Sequence, residues 1–380
     1  MISSSEEQTL QADALRMQAD LDQDQGVSNS ALRLAIQTGM ERGQQRMKKR
    51  VFSKGMGFSA AAAVVVAAVL FILPYFHSAP QPVSTRQSVN WGELEVFKGN
   101  AISSLDEPTL DSAIRNGYIQ LVNQKAEANG YTITLNAVTA DENKIMYLYT
   151  ATTDDKQEIY SINSAKMKDR ITNGYLNTTT QTGGNVTIPE LEKNHVFYGR
   201  GVVELDRTEP FPQQLEAEFR IASVNPGKLA DRKTGTIMAD MHYSSVLKVR
   251  FALDPKFQEY KTQIVKPDLP FTLNGHEVVL SQVEMSPLLI RARVALKNPA
   301  ENNWKTREGI MESTLIQGIT SKVQGEPVQL SPVSGNGTED GFEYAFASSW
   351  LNDPESLVLK IKERESFDKP DIQLEIYNKK

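Results

Sequence analysis

The sequence contains no cysteine among its 380 residues. Disulfide bonds are therefore excluded, as are cysteine nucleophiles and zinc sites built from thiolates. Histidine is also scarce, and no two of the four histidines lie at the i, i+4 spacing of a helical metal site: His77, His195, His242 and His276. The sequence predicts no metal site and no cofactor.

Motifs that would identify an enzyme are missing too. There is no His-Glu-x-x-His motif, no Gly-x-Ser-x-Gly elbow, no phosphate-binding Gly-x-x-x-x-Gly-Lys loop and no dinucleotide fingerprint. An acidic pair such as Asp154-Asp155 could act as general acid and base only if folding placed it in a cleft. We expect no catalytic and no cofactor-binding residue, and we interpret the protein as a non-enzyme.

An excess of basic residues is absent outside the N-terminal region. Residues 1–56 carry eight Lys/Arg and seven Asp/Glu, which leaves 33 Lys/Arg and 40 Asp/Glu in the rest of the chain. Phosphate recognition relies on clustered Lys and Arg. The acidic balance therefore predicts no nucleic-acid partner.

One long apolar run is present, at residues 57–76, and it contains no charged residue. A helix of this length spans roughly 30 Å, the thickness of the hydrocarbon core of a bilayer. Its strongly apolar side chains favour insertion by roughly 3–6 kcal/mol; they are Phe58, Val64, Val65, Val66, Val69, Leu70, Phe71, Ile72, Leu73 and Phe76. A buried helix of a soluble protein would need a polar face. The run predicts a single transmembrane helix in the lipid bilayer.

The flanks of this run predict its orientation. Six basic residues precede it within 15 positions, whereas Arg86 is the single Lys or Arg between the run and residue 97. Positive residues stay in the cytoplasm, so the N-terminus is expected inside and the C-terminal part extracellular. Because 56 residues come before the run, it is too late in the chain for a cleaved signal peptide. We expect an uncleaved anchor in the cell membrane.

The N-terminal leader, residues 1–56, shows helical spacing. In its second predicted helix, Leu32, Ile36 and Met40 lie four residues apart and share one face. This face predicts a docking site for a cytoplasmic protein, with these three residues as the partner-binding candidates. The alternative is a solvated leader to the anchor, because a polar helix is only marginally stable alone.

The outer region is expected to be mainly β. After a proline-containing stalk at 77–90 and a short helix at 106–116, apolar and polar residues alternate from Tyr131 to Ala137 and again at 215–221, and further strands are expected at 145–150, 195–205 and 241–253. We interpret 91–255 as a first β domain. Within it, 156–192 is expected to contain long loops or a flap.

A second β domain is predicted at 256–380. Asn274-Gly275 indicates a hairpin, because both residues tolerate the positive φ of a type I′ turn. Further strands are expected at 290–296, 342–346, 357–361 and 372–376, and residues 335–341 are expected to form a mobile loop. Short strands at this spacing favour a β-sandwich in each domain.

Two stretches resemble a known family. The pattern at 118–124, 129–135 and 144–149, placed after a single N-terminal span, is similar to the Gram-positive bacterial domain-of-unknown-function family numbered 4179. Residues 270–287 resemble the Ig-like domain that often follows it. Members are often encoded beside extracytoplasmic-function sigma factors, so the resemblance implies a sigma factor as cytoplasmic partner. The cysteine-free chain lacks the His/Cys motif of zinc-containing anti-sigma factors.

Three functional hypotheses follow. The first is a membrane-anchored extracytoplasmic sensor or regulator, anti-sigma-like, whose outer domains report envelope state or a cell-wall ligand to the leader. The second is a cell-surface structural or wall-binding, adhesive protein. The third is an envelope hydrolase, which a substrate panel would test. Deleting the leader separates the first two, because only the first needs residues 1–56.

Overall fold

The computed structural model describes residues 89–98, 106–154, 156–176, 195–229, 240–298, 302–364 and 370–379. Within these ranges, no helix has both the length and the apolar character that a bilayer crossing requires. The predicted span at 57–76, the leader with Leu32, Ile36 and Met40, and most of the stalk lie outside the described residues.

The described chain is mainly β and contains two lobes, which we define as residues 89–258 and 263–379. The strands of the first lobe are β1 (Gln120–Ala128), β2 (Tyr131–Ala140), β3 (Lys144–Thr153), β4 (Glu158–Asp169), β5 (Val196–Glu204), β6 (Gln214–Val224), β7 (His242–Tyr243) and β8 (Leu247–Ala252). One sheet has the order β1-β2-β3-β5. In the other, β6 pairs with β4 on one side and with β7 and β8 on the other. All pairings are antiparallel.

The two sheets of the first lobe enclose one aromatic core. Tyr147 and Tyr149 of β3 face Phe219 of β6, with ring centroids 6.2 and 5.0 Å from it. Opposite these tyrosines, β5 supplies Gly201 and Gly199, which leave room for the two rings. A Cβ atom on Gly199 would lie 2.2 Å from Cζ of Tyr149, so the core depends on the missing side chain.

The second face of the β1-β2-β3-β5 sheet is also covered. A 3-10 helix (Gly92–Phe97) and helix α1 (Glu107–Arg115) pack on it through buried Leu94, Phe97, Leu110 and Ala113. The Phe97 ring meets Tyr198 edge-on at 5.6 Å. This double burial explains why residues 144–149 of β3 are buried without alternation.

The second lobe repeats the plan of two sheets around one core. Its strands are β9 (Gln263–Val265), β10 (Leu269–Leu273), β11 (His276–Met285), β12 (Ile290–Leu296), β13 (Thr314–Val323), β14 (Glu326–Leu330), β15 (Pro332–Gly337), β16 (Gly341–Phe346), β17 (Ser356–Glu363) and β18 (Ile372–Asn378). One sheet runs β10-β11-β12-β16-β15, with β9 also on β11, and the other runs β14-β13-β17-β18. Helix α2 (Trp304–Ser313) connects the two sheets and buries Ile310.

The structure confirms many of the expected elements. The stretches expected to be strands form β2, β3, β5, β6, β12, β16, β17 and β18, and α1 occupies the expected short helix. The turn at Asn274-Gly275 has φ angles of 50° and 81°, which confirms the predicted hairpin.

Three expectations are wrong. The region 156–192, expected to be long loops or a flap, begins instead with the 12-residue strand β4, whose two bulges interrupt the alternation, and its part at 177–192 lies outside the described residues. The expected strand at 241–253 is two strands, since residues 244–246 leave the ladder. The expected mobile loop at 335–341 is the end of the β15–β16 hairpin, with Gly335 opposite Tyr344. Helix α2 and strands β13 and β14 were not expected.

Candidate ligand cleft and lobe junction

A cleft of about 780 Å³ opens between the β10–β11 hairpin and helix α2. Its lining comes from the hairpin, from one face of the helix and from the end of β17: Thr272, Asn274, Gly275, His276, Lys305, Thr306, Gly309, Ile310, Ser313 and Glu363. No atom lies within 4 Å of the position that a Cβ of Gly309 would take, so bare helix backbone faces open space there.

Hydrogen bonds hold the hairpin in place at the cleft. Glu363 accepts a hydrogen bond from the backbone amide of Asn274 at 2.7 Å. The side-chain amide of Asn274 donates to Oγ1 of Thr314 at 3.0 Å. Both acceptors belong to the opposite sheet, so the two sheets fix the turn from below, and the cleft is formed before any ligand arrives.

The lining of the cleft is mostly polar. Hydroxyl and amide groups dominate the lining, with one lysine, one histidine and one glutamate. In the described part of the chain, no group of three or more His, Asp and Glu residues could hold a metal ion. The lining can bind a small polar ligand by hydrogen bonds.

A second candidate region is the junction between the lobes, where the buried Asp141 is central. Its Oδ1 accepts hydrogen bonds from the amides of Asn143 and Lys144 in its own turn, at 2.8 and 3.0 Å. Its Oδ2 accepts from Oγ of Ser286 at 2.7 Å and from the amide of Leu288 at 2.8 Å, both in the second lobe. Leu288 is fully buried within the core of the first lobe. One carboxylate thus joins the β2–β3 turn to the β11–β12 turn.

Helix α1 takes part in the same junction. Oγ1 of Thr109 accepts a hydrogen bond from the amide of Ser348 at 2.8 Å, and both residues are buried. At the other end of the helix, the side-chain amide of Asn116 donates to Asn352 at 2.8 Å. Oγ of Ser348 in turn donates to the carbonyl of Ser286 at 2.7 Å. Helix α1 therefore contacts both lobes.

An ion-pair network extends the junction. Glu284 of β11, nearly buried, pairs with Arg207 of the first lobe at 2.6 Å and with Arg291 of β12 at 2.9 Å. The side-chain amide of Gln282 donates to the same carboxylate at 2.8 Å. Hydrogen bonds between charged groups are the stronger class, so this network favours one lobe arrangement.

A buried charged trio lies under α1. Asp106, immediately before the helix, pairs with Arg200 at 3.0 Å and with Lys144 at 3.7 Å, and all three side chains are at most 5% exposed. Burial by itself raises the pKa of the Asp106 carboxyl, but the charges of Lys144 and Arg200 outweigh it, so the pKa is lowered. Asp106 is therefore ionised at neutral pH.

The residues singled out in the sequence have separate positions. His276 lines the cleft, whereas His195 contacts the Gln157 carbonyl through Nδ1 at 2.7 Å. Asp154 accepts a hydrogen bond from the amide of Lys156, as in a turn. Asp141, which joins the two lobes, and Asp106, which anchors the charged trio under α1, were missed. A detectable signal existed for Asp141, since an aspartate opening a turn between two apolar strands often binds the backbone amides that follow.

The fold defines a mainly β protein with two lobes, each built from two sheets around one core. Residues 47–153 match the family model described as Domain of unknown function (DUF4179). The match begins before the apolar run and ends with β3. No curated protein matches the chain. A solved structure described as "The crystal structure of the conserved domain protein from Bacillus anthracis" is similar at 12% identity and a TM-score of 0.43, over 73% of this chain and 94% of that chain.

Proposed function

We propose that the protein is a single-pass membrane sensor or regulator with two extracytoplasmic, Ig-like β-sandwich lobes. In this proposal residues 57–76 cross the bilayer and the outer lobes respond to an envelope ligand. The leader, through Leu32, Ile36 and Met40, holds or releases a cytoplasmic partner such as a sigma factor. The match at 47–153 supports one part of this proposal, because it joins the apolar run to the first sheet.

The observation that carries the proposal is the position of helix α1. This helix closely follows the proposed stalk and hydrogen-bonds to the second lobe through Thr109 and Asn116. Its buried face is part of the core of the first lobe. In this proposal, a change in the arrangement of the lobes moves or strains α1, which follows the proposed stalk and the 3-10 helix Gly92–Phe97 along the chain.

Such coupling has a thermodynamic requirement. A ligand shifts an equilibrium between two states only by as much as its affinities for those states differ. The ligand must bind the cleft or the lobes more tightly in one arrangement. A tenfold difference in affinity corresponds to about 1.4 kcal/mol, comparable to one of the junction hydrogen bonds.

The first experiment tests the leader. The full chain is captured from membranes, and co-captured proteins are identified. We expect a sigma factor with the wild type, and at least a tenfold loss with Ile36→Asp, because a charge on the apolar face opposes docking. Thr38→Asp is the matched control, because it adds the same charge about 200° around the helix. Absence of any captured sigma factor, or equal loss with both variants, contradicts the proposal.

The second experiment tests the coupling. The natural chain has no cysteine, so Asn116→Cys and Asn352→Cys introduce the only two thiols. Cross-linking them with a short bis-maleimide locks α1 to the second lobe. We expect the lock to fix partner capture in one state, whatever the growth condition. Capture that still varies with condition in the locked protein contradicts a role of the junction.

The polar cleft favours a second candidate function, a cell-surface wall-binding or adhesive protein. Hydroxyl and amide groups such as those lining the cleft suit a polar polymer as well as a small ligand. In this case the full chain binds isolated cell wall, Lys305→Ala or His276→Ala weakens that binding, and deletion of residues 1–56 has no effect on cells. A phenotype of the leader deletion decides in favour of the sensor.

A further inference from the structure

The outer face of strand β6 carries charges in register with its two neighbours. Glu216 lies between Lys168 of β4 and Arg250 of β8, and in the next row Glu218 lies between Lys166 and Lys248. The inner face of the same strand, with Leu215, Ala217, Phe219 and Ile221, belongs to the core. The charged rows therefore all face away from the protein core.

Cations outnumber carboxylates on this face, which we call the basic face: Lys166, Lys168, Arg220, Lys248 and Arg250 against Glu216 and Glu218. The two glutamates are neutralised within the face. Glu216 pairs with Arg250 at 2.7 Å and with Lys248 at 3.1 Å, and Glu218 pairs with Lys248 at 2.7 Å. The hydrogen bond from Arg250 lowers the pKa of Glu216 to about 2, against its burial. Three positive charges remain in excess.

The excess cations are available at the surface. Lys166 and Arg220 are exposed, and Lys168 is half-buried. The ammonium groups of Lys166 and Lys168 lie over the exposed ring of Tyr175, at 5.5 and 5.7 Å from its centroid. The Tyr175 hydroxyl donates to Glu218 at 2.8 Å, which fixes the ring over the β4 side of the face. The two lysines are thus held at one edge of the charged rows.

Four of the cations form two columns, Lys166 and Lys168 along β4 and Lys248 and Arg250 along β8. The columns lie about 10 Å apart, and the two positions within a column are about 7 Å apart. Arg220 lies on β6, one row beyond Glu218. The carboxylates occupy the strand between the two columns. A single polymer chain can follow the β4 column at the side of the face, whereas the cations of the β8 column are held by Glu216 and Glu218. A lipid surface would meet the glutamates together with the cations, and the Tyr175 ring projects from the face.

We propose that the basic face binds a linear polymer of repeating phosphodiester groups, laid along the strands. The inference goes beyond the sensor function and does not depend on it. It departs from the expectation drawn from net charge, because sheet register concentrates the cations of an otherwise acidic region on one face. Each phosphate contacted by Lys or Arg releases counterions, so affinity must fall as salt rises.

The test measures binding of poly(glycerol phosphate) to the full chain in detergent, over a series of salt concentrations. The test variant combines Lys166→Gln, Lys168→Gln and Arg220→Gln, which leaves the ion pairs of Glu216 and Glu218 intact. The matched control combines Lys125→Gln, Lys266→Gln and Lys297→Gln, three exposed lysines elsewhere, with the same change in net charge.

We expect the test variant to bind roughly tenfold or more weakly at low salt, and the slope of log K against log salt to become shallower by about 2. The control should remain within about twofold of the wild type. Glu218→Gln should bind more tightly than the wild type, because it removes a negative charge beside the columns. A gain of this kind cannot arise from misfolding.

Several results would overturn the proposal. Equal losses in the test variant and the control would show that net charge alone matters. No binding of the polymer by the wild type would exclude the site. A last experiment distinguishes the polymer from a lipid surface. It measures binding of the full chain in nanodiscs to vesicles of phosphatidylglycerol and phosphatidylcholine. Binding to these vesicles without binding to the polymer would assign the basic face to a lipid surface.

Discussion

At the scale of single residues, the first lobe depends on side chains that fit glycines. Tyr147 and Tyr149 lie opposite Gly201 and Gly199 in the β3–β5 ladder. Aromatic rings over strand glycines compensate for the missing side-chain packing of glycine. The sequence Tyr-Gly-Arg-Gly at 198–201 is therefore a packing motif in this protein, although glycine alone weakens a strand.

The first prediction concerns Gly199→Ala. The added Cβ would lie 2.2 Å from the Tyr149 ring, so the buried ring or the strand must shift. We expect the free energy of unfolding to fall by about 1–3 kcal/mol or more, measured by chemical denaturation. Gly309→Ala is the matched control, because its Cβ meets nothing within 4 Å and a helix gains about 0.5–1 kcal/mol from the exchange. Similar effects in both would contradict the packing account.

The second prediction concerns the hydroxyl groups of the same tyrosines. In the described part of the chain, neither the Tyr147 nor the Tyr149 hydroxyl has a hydrogen-bond partner, although both are buried. An unpaired buried hydroxyl is destabilising. Tyr149→Phe should leave stability unchanged or raise it by up to about 1 kcal/mol. Tyr131→Phe should lower it by about 1 kcal/mol, because it loses a 2.8 Å bond to Ser223. A large loss of stability in Tyr149→Phe would show that the Tyr149 hydroxyl does have a hydrogen-bond partner and would contradict the prediction.

The third prediction concerns Asp106 and pH. The pKa of its carboxyl is lowered in the folded protein, so its stabilising contribution is present above about pH 4 and is lost as pH falls through the lower folded pKa. Asp106→Asn leaves Lys144 and Arg200 buried without their counter-charge and should cost about 3–5 kcal/mol at pH 7.

The difference between Asp106→Asn and the wild type should shrink as pH falls below about 4, because the unfolded-state carboxyl takes up its proton at a higher pH than the folded-state carboxyl does. Asp340→Asn is the control, because this half-exposed carboxylate pairs with a partly exposed Arg293 and should cost about 1 kcal/mol or less. A difference for Asp106→Asn that is independent of pH would contradict the trio's role.

At the scale of elements, bulges and irregular burial decide which strands and helices the residue pattern fails to locate. Strands with regular alternation, such as β12, could be located from residue pattern alone. Strand β4 could not, because its bulges between Ile159 and Ser161 and between Ile162 and Ser164 shift the inward positions. Strand β13 has a similar shift at Gly318, and α2 buries only Ile310, so neither shows a clear period.

The fourth prediction concerns the connection between two turns. Asp141→Asn replaces one acceptor oxygen by an NH₂ group that faces backbone or hydroxyl donors. We expect a loss of about 2–3 kcal/mol in unfolding free energy and faster hydrogen exchange at the Leu288 amide, which Asp141 binds across the junction. Glu142→Gln, at the neighbouring and more exposed position, should change stability by less than about 1 kcal/mol. Unchanged exchange at Leu288 would contradict the connection.

At the scale of the whole molecule, long-range contacts decide what the sequence could not show. The mainly β character and the turn at Asn274-Gly275 follow from local pattern. The cleft, the junction at Asp141 and the basic face each combine residues far apart in the chain. Lys168 and Arg250 face the same carboxylate across β6, and only the strand order reveals this. The net charge of the chain therefore could not predict that cations gather on the basic face.

In the proposed topology, both lobes lie outside the membrane, connected by one span to an inner leader. Because the natural chain has no cysteine, single introduced thiols report topology directly. Intact cells that carry Lys297→Cys or Ser4→Cys are treated with a membrane-impermeant maleimide, before and after lysis. We predict that Lys297→Cys is labelled in intact cells and that Ser4→Cys is labelled only after lysis. Labelling of Ser4→Cys in intact cells, or protection of Lys297→Cys, would contradict the account.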